Sequence, residues 1–495
     1  MAVGHHASGK PTPLPNPLRK GEGAKSSKRH CPAMTKPLYT LDAVLAATGG
    51  HADGITAPAI NSITIDSREI GPDALFVAIK GDRFDGHSFV ATALAGGAVA
   101  ALVSEGKSGG PGTIVVPNAL ASLADLARAA RARSRANIVG VTGSVGKTTT
   151  KEMIRTVFAA AGQTHASIKS FNNHWGVPLM LARMPEEAQF GVFEMGMNHA
   201  GEIEPLAKMV RPHIAVITTV APAHLEALGS LEAIAAAKAE IFTGLEPGGT
   251  AVLNADHEQI DLLREHAATA GVETVVTYGF APGSDWHIVR YETVADKSFA
   301  EIQHAGSKYD LVLNVPGRHM VANAAGALAV SFIAGVEPSV ALAALATFGA
   351  QVGRGQKLSF GDEDKPLILL DESYNANTAS MIAALDVFSS QTAVGRKVLV
   401  LGDMLELGEQ SPQLHASLAD AVNASGAQRI YLVGPQMAAL AAVLGSDAVT
   451  AHIQAATEMA EIVLRDLAYG DTVMVKASNG IGLADIVDKI RKRFA

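Results

Sequence analysis

The stretch Ile138 to Ile154, IVGVTGSVGKTTTKEMI, decides the fold. An apolar, β-branched run enters a glycine turn, and a helix is expected to leave it at about Lys147. The backbone N–H groups of such a turn, with the helix N-terminus behind them, can surround phosphate oxygens. Lys147 would then reach the terminal phosphates and Thr148 would hold Mg2+. Val141 occupies the place where the usual G-x-x-x-x-G-K-T pattern has its first glycine. The loop still closes if the strand meets it one residue later, so that Gly143 and Gly146 make the turn. An ordinary strand–turn–helix corner is the bland alternative.

Working outward, strands recur between helices on both sides of this corner. NIVGVTG, FGVFEMG, IAVITTV and TAVLNAD are each bounded by glycine, proline or polar residues, which implies a parallel sheet covered by helices on both faces. A boundary falls in FGAQVGRGQK, Phe348 to Lys357, where three glycines break the helical pattern. Beyond it PLILLDESYNAN, KVLVLGDM, RIYLVGP and DTVMVKAS predict four strands of a second doubly wound unit. Before it SITIDSREI, ALFVAIKG and GTIVVPN predict a smaller α/β unit, and the basic helix LARAARARSRA, Leu126 to Ala136, runs into the central strand. The expected fold is therefore α/β with three domains: 35–135, a central mostly parallel P-loop ATPase domain 136–350, and a Rossmann-like domain 351–495. No short internal repeat is evident.

Residues 1–34 are expected to form a disordered tail. Up to residue 33 it holds five prolines, six basic residues and one acid, Glu22, and Met34 reads as a natural start. It lacks the apolar run of ~7 to 15 residues that a secretory signal needs. Without those 33 residues the chain has 34 basic against 47 acidic residues, a net charge of −13. A body that acidic argues against nucleic-acid or anionic-membrane partners. The only cysteine, Cys31, lies in the tail, so no internal disulfide or thiolate metal site is expected, which suits a reducing cytoplasm. No segment approaches the ~20 apolar residues of a spanning helix.

Three residues gather chemistry around the loop. FGVFEMGMNHAGEI places Glu194 at the exit end of an apolar strand, and AVITTVAPAHLEALGS places His224 just past the end of the next. Ligands collect at that edge of parallel sheets, so Lys147, Glu194 and His224 should converge, able to position Mg2+ or Mn2+. Pairing of Glu194 with a lysine and helix capping by His224 are the plain alternatives. In LEAIAAAKAEIF, Ile234, Lys238 and Ile241 share one helix face, so Lys238 is predicted on the apolar side. A buried ammonium must be paired or modified, or must snorkel to the surface. Carbamylation by CO2 would turn it into an anion able to hold a second metal.

These motifs together resemble the Mur ligase family, the ATP-dependent amide-forming enzymes of cell-wall precursor synthesis, over essentially Met34 to Ala495. The family's T-G-x-x-G-K-T-T loop is met by Thr142, Gly143, Ser144, Val145, Gly146, Lys147, Thr148 and Thr149, so Val141 is ordinary there. The resemblance implies ATP and two Mg2+ ions as cofactors, with Thr148, Glu194, His224 and a carbamylated Lys238 at the metal site. It also implies Lys147, His224 and Lys238 as catalytic groups, Asn323 near the adenine, Arg354 on the ATP phosphates and Glu372 near the ribose.

Within the family, IDSREI, LFVAIKGDRFDGHSFV, DESYNANTASM and LGDMLELGEQSPQLH are most similar to the branch that joins D-Ala-D-Ala to UDP-MurNAc-tripeptide. The substrate residues then implied are Ser67, Arg68, Lys80, Gly81, Phe84, Asp85, Gly86 and His87 for the nucleotide sugar. For the dipeptide they are Ser373, Tyr374, Asn375 and Asn377. Two departures stand out: Thr378 replaces a proline that usually follows N-A-N, and Ser478 and Asn479 stand where a basic residue is common. The resemblance further implies a cytoplasmic monomer whose third domain closes about the VGRG segment. Another amide ligase of the superfamily, and a P-loop switch that makes no bond, are the alternatives.

Overall fold

A computed structural model describes residues 36–81, 84–107, 109–168 and 170–495. The basic tail and Cys31 lie outside the described residues. Three sheets carry the architecture, beside a two-residue ribbon pairing Tyr39–Thr40 with Ala59–Ile60.

The central sheet has nine strands. Strands Asn137–Thr142, Phe190–Glu194, Ile214–Ile217 and Thr250–Asn254 lie parallel, as the sequence predicts, with Thr164–Ala166 and Thr274–Gly279 added in the same sense. Every residue of Ile214–Ile217 and Thr250–Asn254 is buried, the mark of strands covered on both faces. Register aligns Glu194 with Val141 and Ile217 with Thr142, so the strands end level and their last side chains share one edge.

The sequence reading stopped short of three further strands, Trp286–Val294, Lys297–His304 and Ser307–Leu313, which extend this sheet as antiparallel hairpins. Their turns place Ala295 and Ala305 at φ 53° and 49°. Alanine rarely takes the left-handed positions of such turns, which sequence patterns assign to Asn or Gly.

The third sheet has six strands, in the order Gln356–Phe360, Leu367–Glu372, Thr472–Lys476, Lys397–Gly402, Arg429–Val433, Ala451–Ile453. Five are parallel and the first is an antiparallel edge. Separate apolar cores fill its two faces, one around Leu369, Val400 and Ile486, the other around Leu385, Leu399 and Leu432. The four expected strands are present, and both additions are edges, where short polar strands give little pattern to read.

The first sheet holds His51–Asp53, Thr113–Val116, Ala100–Ser104, Ala74–Val77 and Ser62–Thr64. One face packs a small core of its own around Phe76, Val90 and Val103, but the interior on the other face is shared. Leu75, Leu102 and Leu123 belong to the same continuous core as Leu179, Phe193 and Leu206 of the central unit. Polar ties cross the same seam: the Tyr39 hydroxyl donates to the Ala182 carbonyl at 2.9 Å, Arg131 Nε to Val210 O at 2.8 Å, and Arg183 Nε to Ile63 O at 2.6 Å. Among the described residues no helix is long and apolar enough to cross a membrane.

Candidate active site

The glycine corner is built by close packing. Val141 is fully buried inside its strand, and the chain turns only at Gly143 and Gly146, with φ of 145° and 85°. A Cβ on Gly143 would lie 2.0 Å from Thr218 Oγ1, and one on Gly146 would lie 2.8 Å from Asn323 Oδ1. Neither position admits another residue without displacement. The loop is pinned from the next strand end: Ser144 N donates to Thr219 O at 2.8 Å, and Thr218 Oγ1 donates to Val145 O at 2.5 Å.

The helix that follows, Lys147–Ala161, begins with no side-chain cap. Among the described residues, the Lys147, Thr148 and Thr149 amides have no protein acceptor. A helix start with bare amides and the positive end of its dipole is an anion site. Lys147 Nζ folds back on it, donating to Gly143 O at 2.6 Å. Burial lowers the Lys147 pKa below the usual lysine range, with Glu194 opposing the shift.

Glu194 is 1% exposed. Its Oε2 accepts from Thr148 Oγ1 and its Oε1 from Asn172 Nδ2, each at 2.9 Å. It makes no direct ion pair with a lysine among the described residues. Asn172 was not singled out from sequence. Its only signal is the pair of asparagines in FNNHWG, and its place is set by Gly196, whose amide donates to Asn172 O at 2.8 Å.

Lys238 is 2% exposed and does not snorkel. Among the described residues its ammonium has no hydrogen-bond or ion-pair partner. Burial, and after it Lys147, drive its pKa well below the usual lysine value, which favours the neutral amine. His224 follows its strand in a left-handed backbone conformation, φ 60°. Its Nδ1 lies 2.5 Å from Glu406 Oε2 of the third unit. That approach lacks hydrogen-bond angles and is a close side-chain contact. Glu406, also missed from sequence, has its carboxyl pKa lowered mainly by this histidine.

A cleft of about 1080 Å³ runs between the central and third units. Ser144 to Thr149, Glu194, His224 and Asn323 line one wall, and Arg354, Glu372, Tyr374, Asn375 and Asn377 the other. Thr142, Gly143, Lys238 and Ser373 do not line it. Arg354 stacks over the Tyr374 ring at 4.1 Å, and the Tyr374 hydroxyl bonds Ser170 across the cleft. Lys476, a third residue missed from sequence, donates to Glu372 Oε2 at 3.3 Å and to Asn375 O at 3.0 Å. Its pKa is lowered by burial against the pull of Glu372.

Several other predicted residues are engaged in structure. Asn377 Oδ1 caps the helix Thr378–Ser389 by accepting from Ser380 N at 2.9 Å. Thr378 therefore sits in the first helical turn, where proline is equally at home. Ser373 Oγ donates to Asp371 Oδ1 at 2.6 Å. Ser478 Oγ accepts from Leu405 N at 2.9 Å and donates to Ala376 O at 3.2 Å, while Asn479 faces the cleft.

The first-unit candidates Ser67, Arg68, Lys80, Gly81, Phe84, Asp85, Gly86 and His87 do not line this cleft. Arg68 and Phe84 are exposed, and Arg68 pairs with Asp66 at 2.6 Å. Both ring nitrogens of His87 are taken: Nδ1 contacts Asp85 Oδ1 at 2.6 Å and Nε2 accepts from Ser104 N at 3.0 Å. Lys80 and Asp85 close a backbone bridge around the turn that holds Gly81.

A parallel sheet that presents an uncapped glycine corner to a second parallel sheet, across a cleft of substrate size, defines a phosphate-binding α/β enzyme of the P-loop kind. Three stretches carry the assignment further: residues 59–136 match "Mur ligase family, catalytic domain", 141–331 "Mur ligase middle domain" and 354–479 "Mur ligase, glutamate ligase domain". The chain belongs to the Mur ligase family.

Among curated relatives, UDP-N-acetylmuramoyl-tripeptide–D-alanyl-D-alanine ligase of Escherichia coli is 34% identical over 88% of this chain and 94% of its own. The protein of the same name from Bacillus subtilis is 33% identical over 86% and 92%. Among solved structures, MurF from Acinetobacter baumannii superposes with a TM-score of 0.80 at 28% identity, covering 92% of this chain and 99% of its own. MurF from Thermotoga maritima in complex with ADP has a TM-score of 0.73 at 26% identity, covering 88% and 97%.

Proposed function

We propose that this chain is the ATP-dependent ligase that joins D-Ala-D-Ala to UDP-MurNAc-tripeptide through an acyl phosphate, giving UDP-MurNAc-pentapeptide, ADP and phosphate for peptidoglycan synthesis. One observation carries the reading: relatives bearing that name match over more than nine-tenths of their length, so the outer units agree as well as the shared ATPase. The first unit, about 35–135, takes the nucleotide sugar, with Ser67, Arg68, Lys80, Gly81, Phe84, Asp85, Gly86 and His87 as its contacts. The central unit, to about 350, takes ATP, and the third takes the dipeptide near Tyr374, Asn375 and Asn377.

The chemistry asked of these residues is charge neutralisation and placement, since phosphoryl transfer needs little covalent help. The bare amides at the helix start and Lys147 bind the phosphates. Asn323 lies beside the loop for the adenine, while Arg354 and Glu372 approach phosphate and ribose from the other wall. Mg2+ suits the oxygen donors Thr148 and Glu194. No cluster of three His, Cys, Asp or Glu exists among the described residues, but Mg2+ usually takes only one or two carboxylates and completes its shell with phosphates and water. His224 and a carbamylated Lys238 belong to the same metal region, and a bound ion there would neutralise phosphate charge. The partnerless, neutral-leaning Lys238 amine supports carbamylation, because only an unprotonated amine reacts with CO2.

Closure of the third unit onto the central one shields the acyl phosphate from water. Gly353 and Gly355, at φ 72° and 81°, supply the hinge. The chain acts as a monomer on this reading, and its water-soluble nucleotide substrates support a cytoplasmic setting. The test is phosphate release with UDP-MurNAc-tripeptide present, with and without D-Ala-D-Ala. Release strictly dependent on the dipeptide, with pentapeptide formed mole for mole, is expected. Release that ignores the dipeptide would overturn the reading.

A further inference from the structure

The contact between His224 and Glu406 is built from both sides. Six non-glycine residues take positive φ among the described residues, and the two partners of this contact are both among them, at 60° and 65°. Left-handed backbone at a non-glycine residue carries strain and persists only where its surroundings hold it, most often at working sites.

Glu406 is held by a rigid arm that follows the strand Lys397–Gly402. Asp403 N donates to Val433 O at 3.0 Å, Met404 N to the buried His415 Nε2 at 3.0 Å, and Leu405 N to Ser478 Oγ at 2.9 Å. Beyond the arm's tip, Gly408 sits so close to the helix start after His224 that a Cβ there would lie 3.0 Å from Glu226 Cα. Glu226 N also donates to Glu406 O at 3.3 Å. Backbone, side chain and a required glycine thus all converge on one spot.

We infer that Glu406 is a positioning residue for the nucleotide site: the dipeptide-binding unit uses it to orient the His224 imidazole through Nδ1, leaving Nε2 directed to the reactants. The inference rests on the ligase reading, in which His224 serves the metal region and the third unit closes on the central one. It also explains Ser478. Where a basic residue would reach into the cleft, this chain uses a hydroxyl to brace the arm that presents Glu406.

The test is a cycle of four full-length proteins: wild type, Glu406→Ala, His224→Ala and the double variant. Melting temperature checks that each folds. A part-exposed polar contact of this kind is worth up to about 1 kcal/mol, so Glu406→Ala should lower kcat about fivefold, with the KM for UDP-MurNAc-tripeptide unchanged. In the His224→Ala background the same change should do nothing further. The cycle is also read as affinity for Mg-ADP, which needs neither substrate: a loss of about fivefold is expected with His224 present and none without it.

A loss under about twofold in both readouts, or an equal loss in both backgrounds, overturns the inference, because Glu406 would then be inert or merely structural. Should the wild type form no pentapeptide, the ligase reading fails, while the Mg-ADP cycle still decides the role of Glu406.

Discussion

The two walls of the cleft are both carboxyl-terminal edges of parallel sheets, yet they are finished differently. On the central wall the helix start at Lys147 has no cap, and behind that wall, out of the cleft, the Lys238 amine has no partner among the described residues and Thr142 Oγ1 is buried without one. On the third-unit side most polar groups satisfy one another, although Arg491 Nε is buried without a partner. Asp371 accepts from Ser373 and Arg491, Asp403 accepts from Gln436 and Met437 at the start of the next helix, and Asn377 and Ser380 cap each other. Unpaired buried polar groups are unfavourable unless something completes them. The central wall is therefore a surface completed by ligand, and the facing wall a platform that keeps its shape without one.

That contrast can be broken most sharply at Lys147. Lys147→Ala should reduce kcat about 10³-fold, since it removes a fixed charge aimed at the phosphates, while the melting temperature of the nucleotide-free protein changes little. A large stability loss with kcat retained would mean the wall was already complete.

Lys238→Ala should lower kcat about 100-fold, with partial recovery when acetate or formate is supplied, because a small carboxylate would replace the proposed carbamate. Full activity after the substitution would remove the carbamate from the site.

Acid should separate the walls next. Burial lowers the pKa of His165, His257 and His319, all in the central unit, from 6.5 to about 4. The unfolded chain takes up these protons first, so stability falls as pH drops from about 6.5 through about 4 and is unaffected above that window. Thermal unfolding followed across the window should show the central unit weakening, and His165→Gln should flatten the slope. An unchanged slope would mean that His165 is not held neutral.

The smallest effects belong to the platform. Asn377→Ala should cost about 1 kcal/mol of stability through its lost cap. Thr378→Pro should be neutral or stabilising by up to about 1 kcal/mol. Equilibrium unfolding measures both, and a loss above about 2 kcal/mol for the proline would place Thr378 outside the first helical turn.

The sequence disclosed the central wall far better than the facing one, and the reason is local. Loop, strand ends and helix start follow one another within short stretches, so Gly143, Gly146, Lys147, Glu194 and His224 announce themselves by spacing, and Lys238 by standing on an apolar face. Glu406 and Lys476 carry no such mark: each gains meaning from a partner far along the chain, His224 for one and Glu372 for the other. Asn172 is close to Glu194 in sequence, but nothing in its own neighbours separates it from a surface asparagine. The antiparallel hairpins at the sheet edge are weakly marked, because Ala295 and Ala305 take the first left-handed turn positions and Gly306 alone gives the usual turn signal.

The core shared by the first and central units has a mechanical consequence. A cut near 136 would split one oil drop into two wet halves, whereas among the described residues the third unit lends that shared core only the side of Leu414. On the proposed reading the nucleotide sugar and ATP ride on a single anvil, and the swinging hammer is the third unit alone.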